Sequence, residues 1–161
     1  MKNKNFVDEV FGTYKGHDYV VRFHRMGHRC GYVRVNEKSL FDKIKKTYDE
    51  LFDPDNKYNI ECHGGLTFVE EFDKPDHGFT KVGCWIGFDC NHCDDLQDIH
   101  TALKLFPESS DKKVLYWIDN HRIHADTNAA VRSSDYVESE CKGIIAQLCE
   151  LSALEDKKDV K

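Results

Sequence analysis

The chain has 161 residues, of which 40% are hydrophobic and 32% are charged, and its formal net charge is −6. These values predict one globular domain with a hydrophobic core, and the acidic balance argues against long nucleic acids as partners. No apolar run approaches the roughly 18 residues that cross a bilayer, so a membrane partner is not expected. Met1–Val10 lacks an apolar signal-peptide core, and an odd number of cysteines, seven, argues against a disulfide framework; both observations predict a cytosolic protein.

The first predicted elements are a β-hairpin and an amphipathic helix. Odd-numbered positions are apolar over Tyr19–Phe23, Met26-Gly27 is typical of a turn, and Cys30–Val35 forms the returning strand. Ser39 can cap a helix that continues to Phe52. The apolar residues at helical spacing are Leu40, Phe41, Ile44, Tyr48, Leu51 and Phe52.

The middle of the chain is predicted to contain strands and a short helix. Asp53–Lys57 has the composition of a turn. The strands expected after it are Tyr58–Cys62, Leu66–Phe72 and Phe79–Asp89. A short helix is expected over about Asp95–Leu105, and Pro107 prevents its continuation. Val114–Asp119 has a strand-like composition and is also compatible with a helix.

The last element is a helix that a capping box opens. Asp135 and Glu138 have the spacing of such a box, and the helix is expected to end near Leu154. The charged tail, residues 155–161, should fray. The elements together predict an α+β fold in which residues 1–154 form a single domain. It consists of a mostly antiparallel sheet with two to three helices packed on one face.

Ligand-capable and titratable side chains concentrate in two short blocks. The first is CHGGLTF, Cys62–Phe68, and the second is CWIGFDCNHCDD, Cys84–Asp95. Each block lies at the end of a predicted apolar strand. Three interpretations follow from this concentration: a metal site, a catalytic site, or a pocket that binds a ligand without changing it.

The same blocks carry a resemblance. The segments concerned are Gly31–Val35, His63–Phe68, Trp85–Cys90, His92, Asp95 and Tyr136–Cys141. In these segments the chain resembles a family of small phage and prophage proteins of unassigned function. The resemblance spans most of the chain from Gly31 to Leu151 and is dense only in the two blocks. It implies a phage or prophage setting, and therefore the cytosol of a bacterial host. The chain departs from the family pattern at Cys62, Cys84 and Cys93, and Gln97–Arg132 has no counterpart in that pattern.

Two metal sites can be composed from these residues, although a cofactor-free protein is favoured. Cys90, His92 and Cys93 contain a Cys-x-x-Cys pair of the spacing that suits zinc, but structural zinc commonly uses two such pairs and only one is present. A centre that needs no cysteine consists of His63, Asp89, His92 and Asp95. Imidazole and carboxylate ligands of this kind suit magnesium, manganese or zinc.

A catalytic interpretation uses part of the same set. His63, Asp89 and His92 could act as general base or metal ligands in the hydrolysis of a phosphodiester. Cys90 beside His92 could also be a nucleophile. However, Asp89 and Cys90 are neighbours on a strand and should point to opposite faces, so only one of them should share a site with His63.

A binding pocket is the third interpretation. Gly64-Gly65 permits a positive φ or close backbone approach, and backbone N–H groups there could hold phosphate. Trp85, with Phe88 and Tyr32, could stack on a base, although the spacing of Trp85 and Phe88 places them on opposite faces of a strand. The predicted ligand-binding residues are His63, Gly64, Gly65, Thr67, Trp85, Asp89, His92, Asp95 and Arg34.

The favoured hypothesis is a phage-type ligand-binding protein that sequesters a nucleotide-derived defence signal, with homo-oligomer formation left open. The first alternative is a metal-assisted hydrolase of such molecules that uses His63, Asp89 and His92. The second alternative is an inhibitor that contacts a host protein, in which case the segment Gln97–Arg132 would carry the interface.

Overall fold

The computed structural model of the chain describes residues 5–50, 56–76, 79, 81–107, 112–113, 115–116 and 129–157. Over these residues the fold is α+β, as predicted, and its main element is a five-stranded antiparallel sheet. The strands are β1 (Phe6–Tyr14), β2 (His17–His24), β3 (Arg29–Val35), β4 (Phe68–Phe72) and β5 (Gly83–Asp89). Their order across the sheet is β1-β2-β3-β5-β4. The predicted hairpin is therefore β2-β3, and Gly27 in its turn has φ +93°.

The described part of the chain also contains three helices of defined bounds and a small second sheet. The helices are α1 (Lys38–Asp49), α2 (Ile99–Leu105) and α3 (Ser134–Asp156). The second sheet pairs β6 (Asp95–Leu96) with β7 (Ala130–Val131) in parallel. Among the described residues, no helix combines the length and the apolar character that a membrane span requires.

Both faces of the five-stranded sheet are buried. The first face packs against α1 and α3, and its strand residues include Tyr19, Val21, Val33, Val69, Ile86 and Phe88. Helix α2 packs on Phe23 at the end of this face, so the predicted packing of the helices on one face is confirmed. The second face forms a separate cluster of Val20, Cys30, Tyr32, Phe79 and Trp85. Residues that alternate along β5 therefore belong to different clusters.

Strand β1 lies outside the sequence prediction. It pairs with β2 in antiparallel fashion, but the register shifts between Asp8 and Val10. The shift inserts one extra residue, and the apolar residues on either side of it no longer alternate with period two. A search for strict alternation of apolar residues therefore misses this strand. An ion pair at 2.6 Å between Arg22 on β2 and Asp8 on β1 joins the two strands.

The helix boundaries differ from the prediction because other residues act as caps. Helix α1 is preceded by Glu37, and Ser39 lies inside the helix. Helix α2 begins after Asp98, whose carboxylate accepts a hydrogen bond from the Thr101 backbone N–H at 3.1 Å. Helix α3 begins after Ser133, whose hydroxyl accepts from the Tyr136 backbone N–H at 3.1 Å.

Two more predictions change at the C-terminal side. Of Val114–Asp119, the structure describes Leu115 and Tyr116, and both are helical, so the strand interpretation is wrong there. Helix α3 continues to Asp156, so fraying does not begin at Glu155. The Tyr58 hydroxyl donates to the Glu155 carboxylate at 2.6 Å and fixes this end of the helix. The predicted turn Asp53–Lys57 lies mostly outside the described residues.

Candidate metal centre

The segment before His63 lies along helix α3 and is not the strand that the sequence predicts. The Glu61 N–H donates to the side-chain oxygen of Gln147 at 2.8 Å, and the Gln147 amide donates back to the Glu61 carbonyl at 2.7 Å. The His63 N–H donates to the Glu140 carboxylate at 2.8 Å. Because side chains of α3 satisfy these backbone groups, the segment needs no partner strand. His63 is thereby attached to α3.

Asp95 lies at the centre of a cluster of polar side chains. Its Oδ2 atom accepts from His63 Nε2 at 2.8 Å, from the His92 backbone N–H at 3.0 Å and from His92 Nδ1 at 3.2 Å. Its Oδ1 atom accepts from Arg132 Nε at 2.8 Å. The Asp95 side chain is only 1% exposed. One buried carboxylate therefore connects the His63 loop, the segment after β5 and the residue after β7.

The environment of Asp95 keeps its carboxyl group ionised. Burial by itself would raise the pKa of Asp95, but hydrogen bonds from Arg132, His63 and the His92 backbone outweigh burial and hold the pKa at about 2. The group is therefore a carboxylate throughout the neutral range. A carboxylate can accept several hydrogen bonds or bind a divalent cation.

The second ring nitrogen of His63 is held by Tyr136. The distance from His63 Nδ1 to the Tyr136 hydroxyl oxygen is 3.0 Å, and the two rings meet edge to face at 89°. Burial raises the pKa of Tyr136, so the hydroxyl stays protonated and can donate or accept. Histidines that bind metals usually have such a partner on the other nitrogen, which fixes the ring orientation. Tyr136 therefore holds the His63 ring in the orientation in which Nε2 faces Asp95.

The backbone geometry after His63 explains why the next residue, Gly64, is a glycine. Its φ is +66°, a conformation that side chains disfavour, and Gly65 follows with φ +85°. A Cβ atom on Gly64 would lie 2.1 Å from Cε1 of His92 and 2.3 Å from its Nε2. The backbone at Gly64 therefore packs directly on the His92 imidazole. The positive φ and the close backbone approach that the sequence predicts are both confirmed. The group that the Gly64 backbone approaches is the His92 side chain.

Gly64→Ala is expected to lower the affinity of this candidate centre for Zn²⁺ by roughly 10- to 100-fold, the effect typical of losing a group that orients a ligand. The added methyl group would displace the His92 ring from the position in which its Nδ1 contacts Asp95. Calorimetric titration of metal-free protein with Zn²⁺ measures the change. Gly65→Ala is the matched control, because it adds the same methyl group at positive φ but meets no atom within 4 Å. Equal losses in the two variants would assign the effect to backbone strain and contradict this role of Gly64.

His63, His92 and Asp95 have the arrangement of a metal-ligand set. Each offers one ligand atom, and these atoms all lie within 4.8 Å of one another. Two imidazoles with one carboxylate suit zinc, and with open positions they also suit iron or manganese. The structure thus brings together three of the four residues of the predicted cysteine-free centre.

The structure separates Asp89, Trp85 and Arg34 from this centre. On β5, Asp89 and Trp85 alternate with Phe88, whose ring lies 6.5 Å from the His63 ring on the first face of the sheet. Asp89 and Trp85 therefore point to the second face, together with Arg34 opposite Trp85. Of the two predicted carboxylates, Asp95 therefore lies in the cluster and Asp89 does not. Trp85 is 0% exposed, so it offers no face on which a base could stack.

The cysteines and Thr67 do not join the cluster. Cys90 is buried in the core, and burial raises the pKa of its thiol. The Cys93 side chain is exposed and donates to the Asp94 carboxylate at 2.7 Å. Among the described residues, no metal-ligand group includes a cysteine, so the predicted Cys90-His92-Cys93 site does not form. Thr67 is exposed, and its backbone N–H donates to the Gly87 carbonyl at 2.9 Å.

Sequence reasoning missed Tyr136, Arg132 and Glu140. Tyr136 and Glu140 fall in the Tyr-Val-x-x-Glu-Cys block of the resemblance, which is the signal that was available for them. Arg132 carries no such signal, because its role arises from the pairing of β7 with β6.

Comparison of the chain with protein-family models, with curated proteins and with solved structures found no match. The resemblance to phage proteins therefore stays a prediction.

Proposed function

We propose that the protein is a metal-assisted hydrolase in which His63, His92 and Asp95 bind one divalent cation. The observation that carries the proposal is the convergence of two imidazoles and a buried carboxylate, with their ligand atoms within 4.8 Å of one another. These residues come from two separate segments of the chain. Tyr136 and Arg132 hold His63 and Asp95 from outside the set. Partners of this kind are typical of functional metal sites.

The number and exposure of the ligands favour catalysis over a structural role. Structural zinc sites usually have four protein ligands, whereas catalytic sites have three and keep a position for water or substrate. The His92 side chain is 36% exposed, while those of His63 and Asp95 are 13% and 1% exposed. A substrate can therefore reach the centre from the side of His92.

Hydrolysis is the reaction class that this set of residues supports without another reactant. His63, His92 and Asp95 would hold the divalent cation, which would supply a water ligand of lowered pKa and polarise a phosphoryl or carbonyl oxygen. The oxygen of water bonds to the phosphorus or carbon atom, the ester bond breaks, and a proton passes to the leaving oxygen. The protein residues orient the centre: Tyr136 fixes the His63 ring, and Arg132 balances the charge of Asp95.

Sequestration of a nucleotide-derived defence signal remains the second candidate. The same residues could hold a phosphate group without cleaving it. However, Trp85, on which stacking of a base would depend, is buried on the other face of the sheet. The two candidates differ in outcome, because a sequestered ligand is recovered intact after denaturation and a hydrolysed one is not.

Metal-free protein titrated with Zn²⁺ is expected to bind one ion per chain, and His92→Ala should lower the affinity by at least roughly 100-fold, since it removes a ligand rather than an outer partner. The zinc-loaded or manganese-loaded protein should hydrolyse bis(p-nitrophenyl) phosphate, and the variant should lose this activity. His100→Ala is the control, because His100 is an exposed histidine of α2 outside the ligand set.

Three results would contradict the proposal. The first is the absence of stoichiometric metal binding by the wild-type protein. The second is equal affinity in His92→Ala and the wild type. The third is metal binding with recovery of every tested ester intact, which would favour sequestration.

A further inference from the structure

Arg132 is held rigidly beside the candidate centre. It directly follows β7, which pairs with β6 so that Ala130 lies opposite Asp95. Its carbonyl oxygen accepts from Arg29 Nη1 at 3.0 Å, and Arg29 is itself buried. Its side chain donates through Nε to Asp95 Oδ1 at 2.8 Å, and the guanidinium carbon lies 5.2 Å from the centre of the Tyr136 ring. Backbone and side chain are therefore both fixed.

Most of the hydrogen-bonding capacity of Arg132 is not used by the described residues. Guanidinium has five N–H donors, and only the Nε donor has an acceptor among the residues that the structure describes. The remaining four donors belong to Nη1 and Nη2. The side chain as a whole is 23% exposed, so part of it is in contact with solvent. A paired fork of this type binds the oxygens of phosphate in a bidentate manner.

The charges at the centre also favour an anion. Asp95 and Arg132 neutralise each other at 2.8 Å, and an imidazole that binds a metal ion does so in its neutral form. The Glu140 carboxylate, which accepts from the His63 backbone N–H, adds one negative charge nearby. A divalent cation would still leave a local excess of positive charge, within a chain whose net charge is −6. Interactions with this local charge are strengthened where side chains are desolvated, whereas the distant surface charges are screened by salt.

We infer that Nη1 and Nη2 of Arg132 form an oxyanion subsite beside the centre, and that the substrate is a phosphate ester whose oxygens bind this fork and the cation together. This inference rests on the proposed function, and it adds to it the substrate class and the residue that recognises it. Arg132 thus has two roles, because Nε orients Asp95 and the fork binds substrate. Arg132 belongs to the segment Gln97–Arg132, in which the chain departs from the family that it resembles.

The test compares metal affinity and phosphate affinity in the same variants. Metal-free protein is titrated with Mn²⁺, and the loaded protein is then titrated with inorganic phosphate by calorimetry. Arg132→Gln removes the fork and the charge, but its amide N–H lies at the position of Nε and can still donate to Asp95. It should lower the phosphate affinity by about 10- to 100-fold, the loss expected for charged hydrogen bonds, and change Mn²⁺ affinity by less than about 3-fold. Arg132→Lys, which keeps the charge but lacks the fork, should fall between Gln and wild type. Arg34→Gln is the matched control, since Arg34 is partly exposed on the second face of the sheet.

The outcomes separate the inference from the proposed function. Normal Mn²⁺ binding with a selective loss of phosphate in Arg132→Gln supports the subsite. Normal Mn²⁺ binding with unchanged phosphate affinity overturns the subsite and leaves the metal centre in place. Parallel losses of both affinities also overturn it, because Arg132 would then act only by positioning Asp95. Acetate binding as tight as phosphate binding would overturn the assignment to phosphate esters. Failure of the wild-type protein to bind Mn²⁺ or Zn²⁺ would refute the proposed function and the subsite together.

Discussion

Asp95→Asn is expected to abolish binding of a divalent cation and to lower the free energy of unfolding by roughly 3 kcal/mol. The substitution keeps the shape of the side chain but removes its charge. The carboxylate accepts four hydrogen bonds, from His63, Arg132, and the ring and backbone of His92. An amide has one acceptor oxygen and would turn its own N–H groups toward donors. Because the Arg132 side chain is 23% exposed, the cost should lie at the low end for a broken buried ion pair.

The pH dependence of this effect has a definite direction. The pKa of Asp95 is held at about 2, below its ordinary value of 3.8, so the unfolded chain takes up the proton first as the pH falls. The stability contributed by the carboxylate is therefore complete above about pH 4 and is lost between about pH 4 and pH 2. Urea unfolding of the metal-free proteins should show the difference between wild type and Asp95→Asn closing over this window.

Asp94→Asn is the matched control for Asp95→Asn. Asp94 is the exposed neighbour, and its carboxylate accepts from the Cys93 thiol. The substitution should change the free energy of unfolding by less than about 0.5 kcal/mol and leave Zn²⁺ affinity intact. Retention of Zn²⁺ binding by Asp95→Asn would show that Asp95 is not a ligand. A stability difference that does not vary with pH would contradict the assigned ionisation.

Trp85→Ala is expected to lower the free energy of unfolding by about 3–5 kcal/mol without changing Zn²⁺ affinity. Trp85 is 0% exposed, and its ring centre lies 4.7 Å from that of Phe79. Its indole N–H donates to the Lys81 carbonyl at 3.1 Å, which attaches the loop before β5 to the sheet. Truncation would remove a large apolar volume and leave that carbonyl without its donor. Such a loss is a large part of the roughly 5–15 kcal/mol that stabilises a typical domain.

Denaturant unfolding and Zn²⁺ calorimetry on the same variants test this prediction. Trp85→Phe is the conservative control: it keeps an aromatic ring and loses the hydrogen bond, so it should cost roughly 1–2 kcal/mol. The metal centre should be unaffected in both variants, because Trp85 lies on the second face of the sheet and His63 is near Phe88 on the first. A cost below about 1 kcal/mol for Trp85→Ala would show that the second face is not a packed core.

Local sequence patterns determined much of the fold. Apolar residues alternate over Tyr19–Phe23, and Met26-Gly27 follows as a turn, so the sequence specified the β2-β3 hairpin. Few other structures combine a period of two with a positive φ in the following turn. The apolar stripe of α1 and the long apolar repeat of α3 specified two helices on one face. Strand β1 was not predicted, because its bulge removes the period-two pattern. Tyr58–Cys62 was wrongly predicted as a strand, because side chains of α3, Gln147 and Glu140, satisfy backbone groups of this segment and of His63.

The candidate site was only partly determined by local sequence. The order of residues in the two blocks identified His63, His92 and Asp95 as members of a larger candidate set, and alternation on β5 already required Asp89 and Cys90 to face opposite ways. The tertiary structure brought Asp95 to the two histidines and placed Asp89, which the sequence had put in the same set, on the other face of the sheet. The chain turns after Cys90, and the pairing of β6 with β7 brings Asp95 beneath the His63 loop.

The contacts of Tyr136 and Arg132 with the centre were decided by the tertiary structure, although Tyr136 lies in a block of the resemblance. Tyr136 is 73 residues from His63 in sequence, and Arg132 is 37 residues from Asp95. Hydrogen bonds of this kind depend on where α3 and β7 lie against the sheet, and no local pattern encodes that placement. Sequence alone therefore identified the residue types near the strand ends that can bind a metal ion or a ligand. Packing decided which of those groups share one buried carboxylate, because burial and hydrogen bonding act between residues that are close in space.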